Sequence, residues 1–229
     1  MLMIVQIYAA TSVADALKMV ELGVDQVGFI AGDYGEVHAE LTFSEARGIV
    51  EALRGKAMSS ALTMSTDLAE IVRMIKAVQP DMVHISSDTE AVGVAAMKAL
   101  KASLPNNILL MKAIHVDGAD SIATAVAFAE VSDILLLDTK VKGFPGVGAT
   151  GVTHDWSISR EIARRVEGQA QVILAGGLTP ENVSAAIATV RPWGVDSNTG
   201  TNIPGDPVVK DMARVRDFVN QAKLMMNNE

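Results

Sequence analysis

The chain has 229 residues, 49% of them apolar, with 19 basic against 27 acidic residues and a net charge of -8. That length and apolar content suit a folded domain with a sizeable core and exclude a disordered polymer. The negative balance argues against a nucleic-acid partner or an anionic membrane surface, and the absence of cysteine rules out disulfides, thiolate nucleophiles and cysteine-zinc sites.

Met1 to Ala10 is apolar but lacks a basic leading region and contains Gln6, so it does not read as a secretory signal. No uncharged stretch approaches the roughly 20 apolar residues that span a bilayer. A cytoplasmic protein without a membrane partner is expected, and assembly as a homo-oligomer is compatible with this composition.

In chain order, the first strand-like run is Met3 to Tyr8, followed by a helical pattern that Ser12 opens and Gly23 closes. Gln26 to Ala31 is the second run, and the helix after it starts from Ser44 and stops at Gly55. Ala57 to Thr63 leads into Thr66, which with Glu70 predicts a capping box, and Pro80 ends that helix. Met82 to Ser86 and Ile108 to Val116 follow, separated by an Ala-rich helix that stops before Pro105. Ile134 to Asp138 is the sixth run, and the helix beyond it stops at Gly168. Gln171 to Ala175 precedes Thr179-Pro180, which predicts a helix with Pro at its first position and an end at Pro192. Gly194 to Ser197 is the eighth run.

Eight apolar runs, each followed by a helix at about 28 residues per unit, predict a (β/α)8 barrel of the TIM type in one domain over residues 1–229. An open doubly wound sheet uses the same alternation, but eight strands overfill its common five- or six-stranded forms. No linker or low-complexity tract divides the chain.

In a barrel, chemistry sits at the carboxyl ends of the strands. The seventh run leads into Gly176 and Gly177 before a helix start, and the eighth runs through Asp196 into Asn198, Thr199 and Gly200. Small residues with exposed N–H groups in these two loops predict a phosphate site. The sixth run closes on Asp138, which fits either a general acid whose pKa an apolar surrounding raises or a helix cap or loop anchor. The glycine-rich stretch Gly143 to Gly151 reads as a lid over substrate. His84, His115 and Lys112 lie on strands and fit either proton transfer or structural roles, Lys112 also fitting a barrel-interior ion pair. His38 and His154 fall in loops and are expected to be solvated. No histidines and carboxylates share metal-ligand spacing, so no metal is expected.

The order of these motifs resembles the phosphoribosylanthranilate isomerase family over nearly the whole chain. Gly23-Val24-Asp25-Gln26-Val27-Gly28-Phe29-Ile30 is similar to its second-strand signature, Lys112-Ala113-Ile114 to its fifth strand and Leu136-Leu137-Asp138 to its sixth. Gly148-Ala149-Thr150-Gly151, Ala175-Gly176-Gly177, Gly194-Val195-Asp196, Gly200 and Lys210-Asp211 continue the match.

The resemblance implies a barrel enzyme of tryptophan biosynthesis that needs no cofactor and takes a small phosphorylated sugar through an Amadori rearrangement. It implies Asp138 as general acid, and Gly176, Gly177 and Gly200 as phosphate-loop residues with Asn198 and Thr199 in the place of serines. Asp196 matches a carboxylate at the floor of the site. Tyr8 stands where the family carries a cysteine base, with its hydroxyl expected at the barrel mouth. His84-Ile85-Ser86-Ser87 replaces Gln-Leu-His-Gly, which puts His84 among the substrate-binding candidates. The loop Gly32 to Glu40 holds no arginine where the family binds the anthranilate carboxylate. Two alternatives stay open on these departures: a related phosphosugar enzyme with another substrate, and a non-catalytic phosphosugar-binding barrel.

Overall fold

The structure, a computed structural model, describes residues 3–32, 34–35, 37–139 and 153–224. The stretch read as a lid and the motif Gly148 to Gly151 lie outside the described residues. The chain alternates β1 (Ile4–Ile7), α1 (Val13–Glu21), β2 (Gln26–Ala31), β3 (Glu40–Leu41), α2 (Phe43–Leu53), β4 (Met58–Thr63), α3 (Leu68–Val78), β5 (Met82–Ile85) and α4 (Val94–Ser103). It continues through β6 (Leu109–His115), α5 (Asp120–Ala129), β7 (Ile134–Asp138), α6 (Trp156–Arg165), β8 (Gln171–Leu174), α7 (Val183–Val190), β9 (Gly194–Ser197) and α8 (Met212–Leu224).

All strand pairs are parallel, and β1 pairs with both β2 and β9, which closes an eight-strand barrel. The two-residue β3 has no counterpart among the sequence-read strands. It pairs Glu40 and Leu41 with Ile30 and Ala31, extending the sheet on the side of β2 that β1 leaves bare.

Alternation along each strand builds two cores. Val5, Ile7, Val27 and Phe29 face the helices, with Val83, Leu135 and Leu174 on the later strands. Tyr8, Met82, Met111, Ile134, Leu136 and Ile173 fill the barrel interior. The same inward parity places Gln6, Ser60, His84, Asp138 and Asp196 inside, all buried. Both faces are covered, so the strands read as continuous apolar runs with the polar interior positions hidden among them.

At the amino end of the barrel one device recurs. The carboxylates of Asp25, Asp81 and Asp133, each just before a strand, accept the backbone N–H of Val5, Ser59 and Leu110 at 2.9, 2.8 and 2.9 Å. Each clips one strand to its neighbour where the ladder begins.

The helix starts differ from expectation in three places. α2 is capped by Thr42 rather than Ser44, because Thr42 and Glu45 form a reciprocal capping box. α3 is capped by Asp67, whose carboxylate takes the Ala69 N–H at 2.8 Å, while Glu70 pairs with Arg73 instead of returning to Thr66. Thr179-Pro180 begins a turn, not a helix: Asn182 accepts the Thr179 N–H at 2.8 Å and donates to the Gly177 carbonyl at 3.0 Å, and α7 starts at Val183.

Gly28 decides how the interior packs. A Cβ at this position would fall inside the Tyr8 ring, so the phenol lies flat across β2 only because residue 28 has no side chain. Gly28→Ala should therefore cost about 1–3 kcal/mol in urea unfolding. The penalty should be clearly smaller in a Tyr8→Cys background, where the ring is gone. Equal penalties in the two backgrounds would remove this contact as the reason for the glycine.

Candidate active site

The carboxyl ends of the strands surround a cavity of about 200 Å³. Its wall includes Tyr8 after β1, His84 on β5, Asp138 at the end of β7, Asp196 on β9, and Asn198 and Thr199 beyond it. Ile30, Val37, Leu62, Met64, Leu136 and Pro207 make the rest of the wall largely apolar, and His38 stands on the rim. Lys and Arg are absent among the described lining residues. Among the described residues no group of three His, Cys, Asp or Glu is placed to hold a metal ion.

Asp138 is buried, and removal from water pushes its carboxyl up to about 6, against the opposing effect of the Thr139 N–H that it accepts at 2.6 Å. Asp196 is buried too. Its desolvation, with the repulsion of Asp138 added, pushes it up to about 8 although Gln6 Nε2 donates to it at 3.1 Å. Lys210 lies behind this carboxyl, its Nζ donating to the Asn198 carbonyl at 2.8 Å and to Asn198 Oδ1 at 3.0 Å. Burial lowers its ammonium to about 7.

Tyr8 departs from its expected pose. Its hydroxyl does not sit at the mouth but reaches across Gly28 into the interior, 2.6 Å from Ser60 Oγ and 2.7 Å from His84 Nδ1. Burial raises the phenol well above its ordinary range. His84 is driven the other way, to about 3, chiefly because burial disfavours the imidazolium. Its Nε2 has no partner.

The two loops read as a phosphate site adjoin one another, with Ser197 Oγ donating to the Leu178 carbonyl at 2.8 Å. Gly200 packs directly against that carbonyl, where any side chain would collide, and Gly176 and Gly177 both take positive φ, 80° and 63°. Among the described residues, the N–H groups of Gly176, Gly177, Thr199 and Gly200 donate to no protein acceptor. Of these four residues Thr199 lines the cavity, and Gly176, Gly177 and Gly200 are not among its lining residues.

Other candidates fall elsewhere. Lys112 points out of the barrel toward Phe128, and its Nζ donates to the carbonyls of Ile85 and Ser87, so it forms no interior ion pair. His115 pairs with Asp88 at 2.7 Å. His154 is not solvated: it bridges Thr139 Oγ1 at 3.0 Å and Ser159 Oγ at 2.6 Å, and burial lowers it to about 4. His154 and α6 are thereby tied to the residue next to Asp138. Ser60 and Gln6 escape sequence reasoning because a lone polar residue within an apolar run carries no pattern; only their alternate-residue spacing on β4 and β1 marks them as inward.

Comparison with known proteins agrees with this geometry. Residues 5–221 match the family model of N-(5'-phosphoribosyl)anthranilate (PRA) isomerase. The chain is 35% identical over 211 residues to N-(5'-phosphoribosyl)anthranilate isomerase 2 of Methanosarcina mazei, covering 92% of this chain and 90% of that one. It is 33% identical over 218 residues to the isomerase of Pseudomonas fluorescens, covering 95% and 97%. Among solved structures, the phosphoribosyl anthranilate isomerase of Thermotoga maritima superposes with a TM-score of 0.80 at 28% identity, over 96% of this chain and 98% of that one. A phosphoribosyl anthranilate isomerase in complex with reduced 1-(o-carboxyphenylamino)-1-deoxyribulose 5-phosphate superposes with a TM-score of 0.78 at 26% identity, with the same coverage. The chain belongs to the N-(5'-phosphoribosyl)anthranilate isomerase family.

Proposed function

We propose that the chain isomerises phosphoribosylanthranilate, an aldose amine, to the corresponding ketose amine, with Asp138 and Asp196 handling the protons. The observation that carries this reading is the pair of buried carboxyls in one cavity, beside two loops with unused N–H donors. The phosphate is held by the backbone of Gly176, Gly177, Thr199 and Gly200, whose N–H groups donate to no acceptor among the described residues. The apolar wall of Ile30, Val37, Leu62 and Met64 suits an aromatic ring.

Proton bookkeeping follows from the burial. Two carboxyls that repel one another in a dry site do not ionise together, so near neutrality the pair holds one proton. That proton goes to the furanose ring oxygen as the C1–O bond breaks, and the nitrogen lone pair forms the Schiff base. The pair, now short of a proton, takes the one on C2, and the resulting enolamine becomes the ketose amine. The Tyr8 phenol stays protonated because its burial disfavours the phenolate, so it contributes by position rather than by ionising.

Turnover of phosphoribosylanthranilate by the purified protein is the direct test, and absence of any conversion would remove this reading. Asp138→Asn keeps the shape but removes a group that can give or take a proton, so kcat should fall by roughly 10²–10⁴ with KM little changed.

The pH profile adds an independent check. Below about 6 both carboxyls are protonated and nothing accepts the C2 proton; above about 8 both are ionised and nothing protonates the ring oxygen. A bell-shaped kcat/KM between those limbs is expected, and Asp196→Asn should abolish the alkaline limb. A flat profile through both values would separate the chemistry from these carboxyls.

A further inference from the structure

Hydrogen counting narrows the direction of the chain of contacts from Ser60 through Tyr8 to His84. Ser60 and Tyr8 each carry one hydroxyl hydrogen, and the neutral His84 ring carries one N–H. Two contacts join the three groups, at 2.6 and 2.7 Å, and among the described residues none of the three side chains has another partner. In one arrangement Ser60 donates to Tyr8 and Tyr8 donates to Nδ1, which leaves the His84 proton on Nε2. In the reverse arrangement Nδ1–H donates to Tyr8 and Tyr8 donates to Ser60. That leaves the Ser60 hydrogen without an acceptor and strands the Nε2 lone pair as well.

A third arrangement, with Ser60 and Nδ1–H both donating to Tyr8, strands the phenol hydrogen, the strongest donor of the three. Each arrangement has one unmet donor, but its place differs. Ser60 and His84 are both buried, Nε2 included, but only His84 is among the residues that line the cavity. A buried donor without a partner is costly, and only a donor on the cavity wall can find an acceptor on a ligand. We propose that His84 is a substrate-contacting residue whose Nε2–H donates to the C2 oxygen of the phosphorylated sugar, with Tyr8 as the positioning residue that fixes the tautomer. This rests on the isomerase reading above. C2 is where the hydroxyl becomes a carbonyl, and a neutral imidazole donor held in place by its other nitrogen supports charge developing on that oxygen. The low basicity of His84 keeps the ring neutral, as a donor of this kind needs.

Nitrogen-15 histidine labelling of the full chain reads this directly, with the His84 signal identified by its loss in His84→Gln. The expected wild-type ring is neutral and protonated at Nε2, and in Tyr8→Phe it becomes a mixture of tautomers. Ribose 5-phosphate should shift the Nε2–H resonance, while inorganic phosphate, which fills only the glycine loops, should leave it in place. The Kd for ribose 5-phosphate should rise about 10- to 100-fold in His84→Leu and recover in His84→Gln, whose amide restores a donor. A ring protonated at Nδ1, or a His84 signal unmoved in protein saturated with ribose 5-phosphate, overturns the proposal and leaves the isomerase reading standing. Failure of the wild type to bind either ligand, with no turnover, removes both. Should His84→Leu not fold, the wild-type tautomer and the ligand-induced shift decide the matter alone.

Discussion

Barrel closure through β1 is the constraint on which the site depends. Because β1 pairs with β2 on one side and β9 on the other, Gln6 and Tyr8 are forced inward between the two ends of the sheet. Gln6 lies opposite Asp196 in the β1–β9 register and donates to its carboxyl. Tyr8, two residues on, faces the same interior one layer higher and turns across β2 toward β4 and β5. An open sheet would leave these groups on separate edges. Closing it puts a carboxyl, an amide, a phenol and an imidazole within one low-dielectric space, and that space sets their protonation.

The electrostatics of the site follow from that placement. Burial alone moves Asp138, Asp196 and Tyr8 toward their protonated forms and His84 toward its neutral form. All four shifts have desolvation as their first cause, so the site is tuned mainly by exclusion of water and only secondarily by charge pairs. Lys210, which does not line the cavity, is among the described residues the one cation that acts on this pair. Its charge favours ionised Asp196, while its donors are spent on Asn198 and Asn202, which shape the loop that carries Thr199.

The alternation of strands and helices is legible in the sequence because a parallel barrel buries both faces of each strand, and a run such as Ile134 to Leu137 has no other natural home. The carboxyl-end rule then locates Asp138, Asp196 and the glycine loops without coordinates. Helix starts are less legible, since several neighbouring side chains compete for the same orphan N–H groups. Thr66 loses to Asp67 because Glu70 is drawn to Arg73, and Pro180 does not open a helix because Asn182 holds both sides of the preceding turn. His154 is misjudged from its place in a loop. Its neighbours Thr139 and Ser159 come from either side of a long insertion, and only the fold brings them to the two ring nitrogens.

The direction of Tyr8 is the clearest case of a fact that sequence alone does not contain. A residue at the end of a barrel strand can rise toward solvent or turn across the interior, and the choice depends on what the neighbouring strands offer. Here Gly28 is registered beside Ser60, so the ring finds empty space over β2 and a hydroxyl beyond it, with His84 on the next strand completing the contact. Any side chain at position 28 would force the phenol outward and break the chain of hydrogen bonds. The setting of Tyr8 is thus not a local matter of one side chain. It draws on the missing side chain of Gly28, the Ser60 hydroxyl and the His84 ring together, so that three strands beyond β1 determine where the phenol lies.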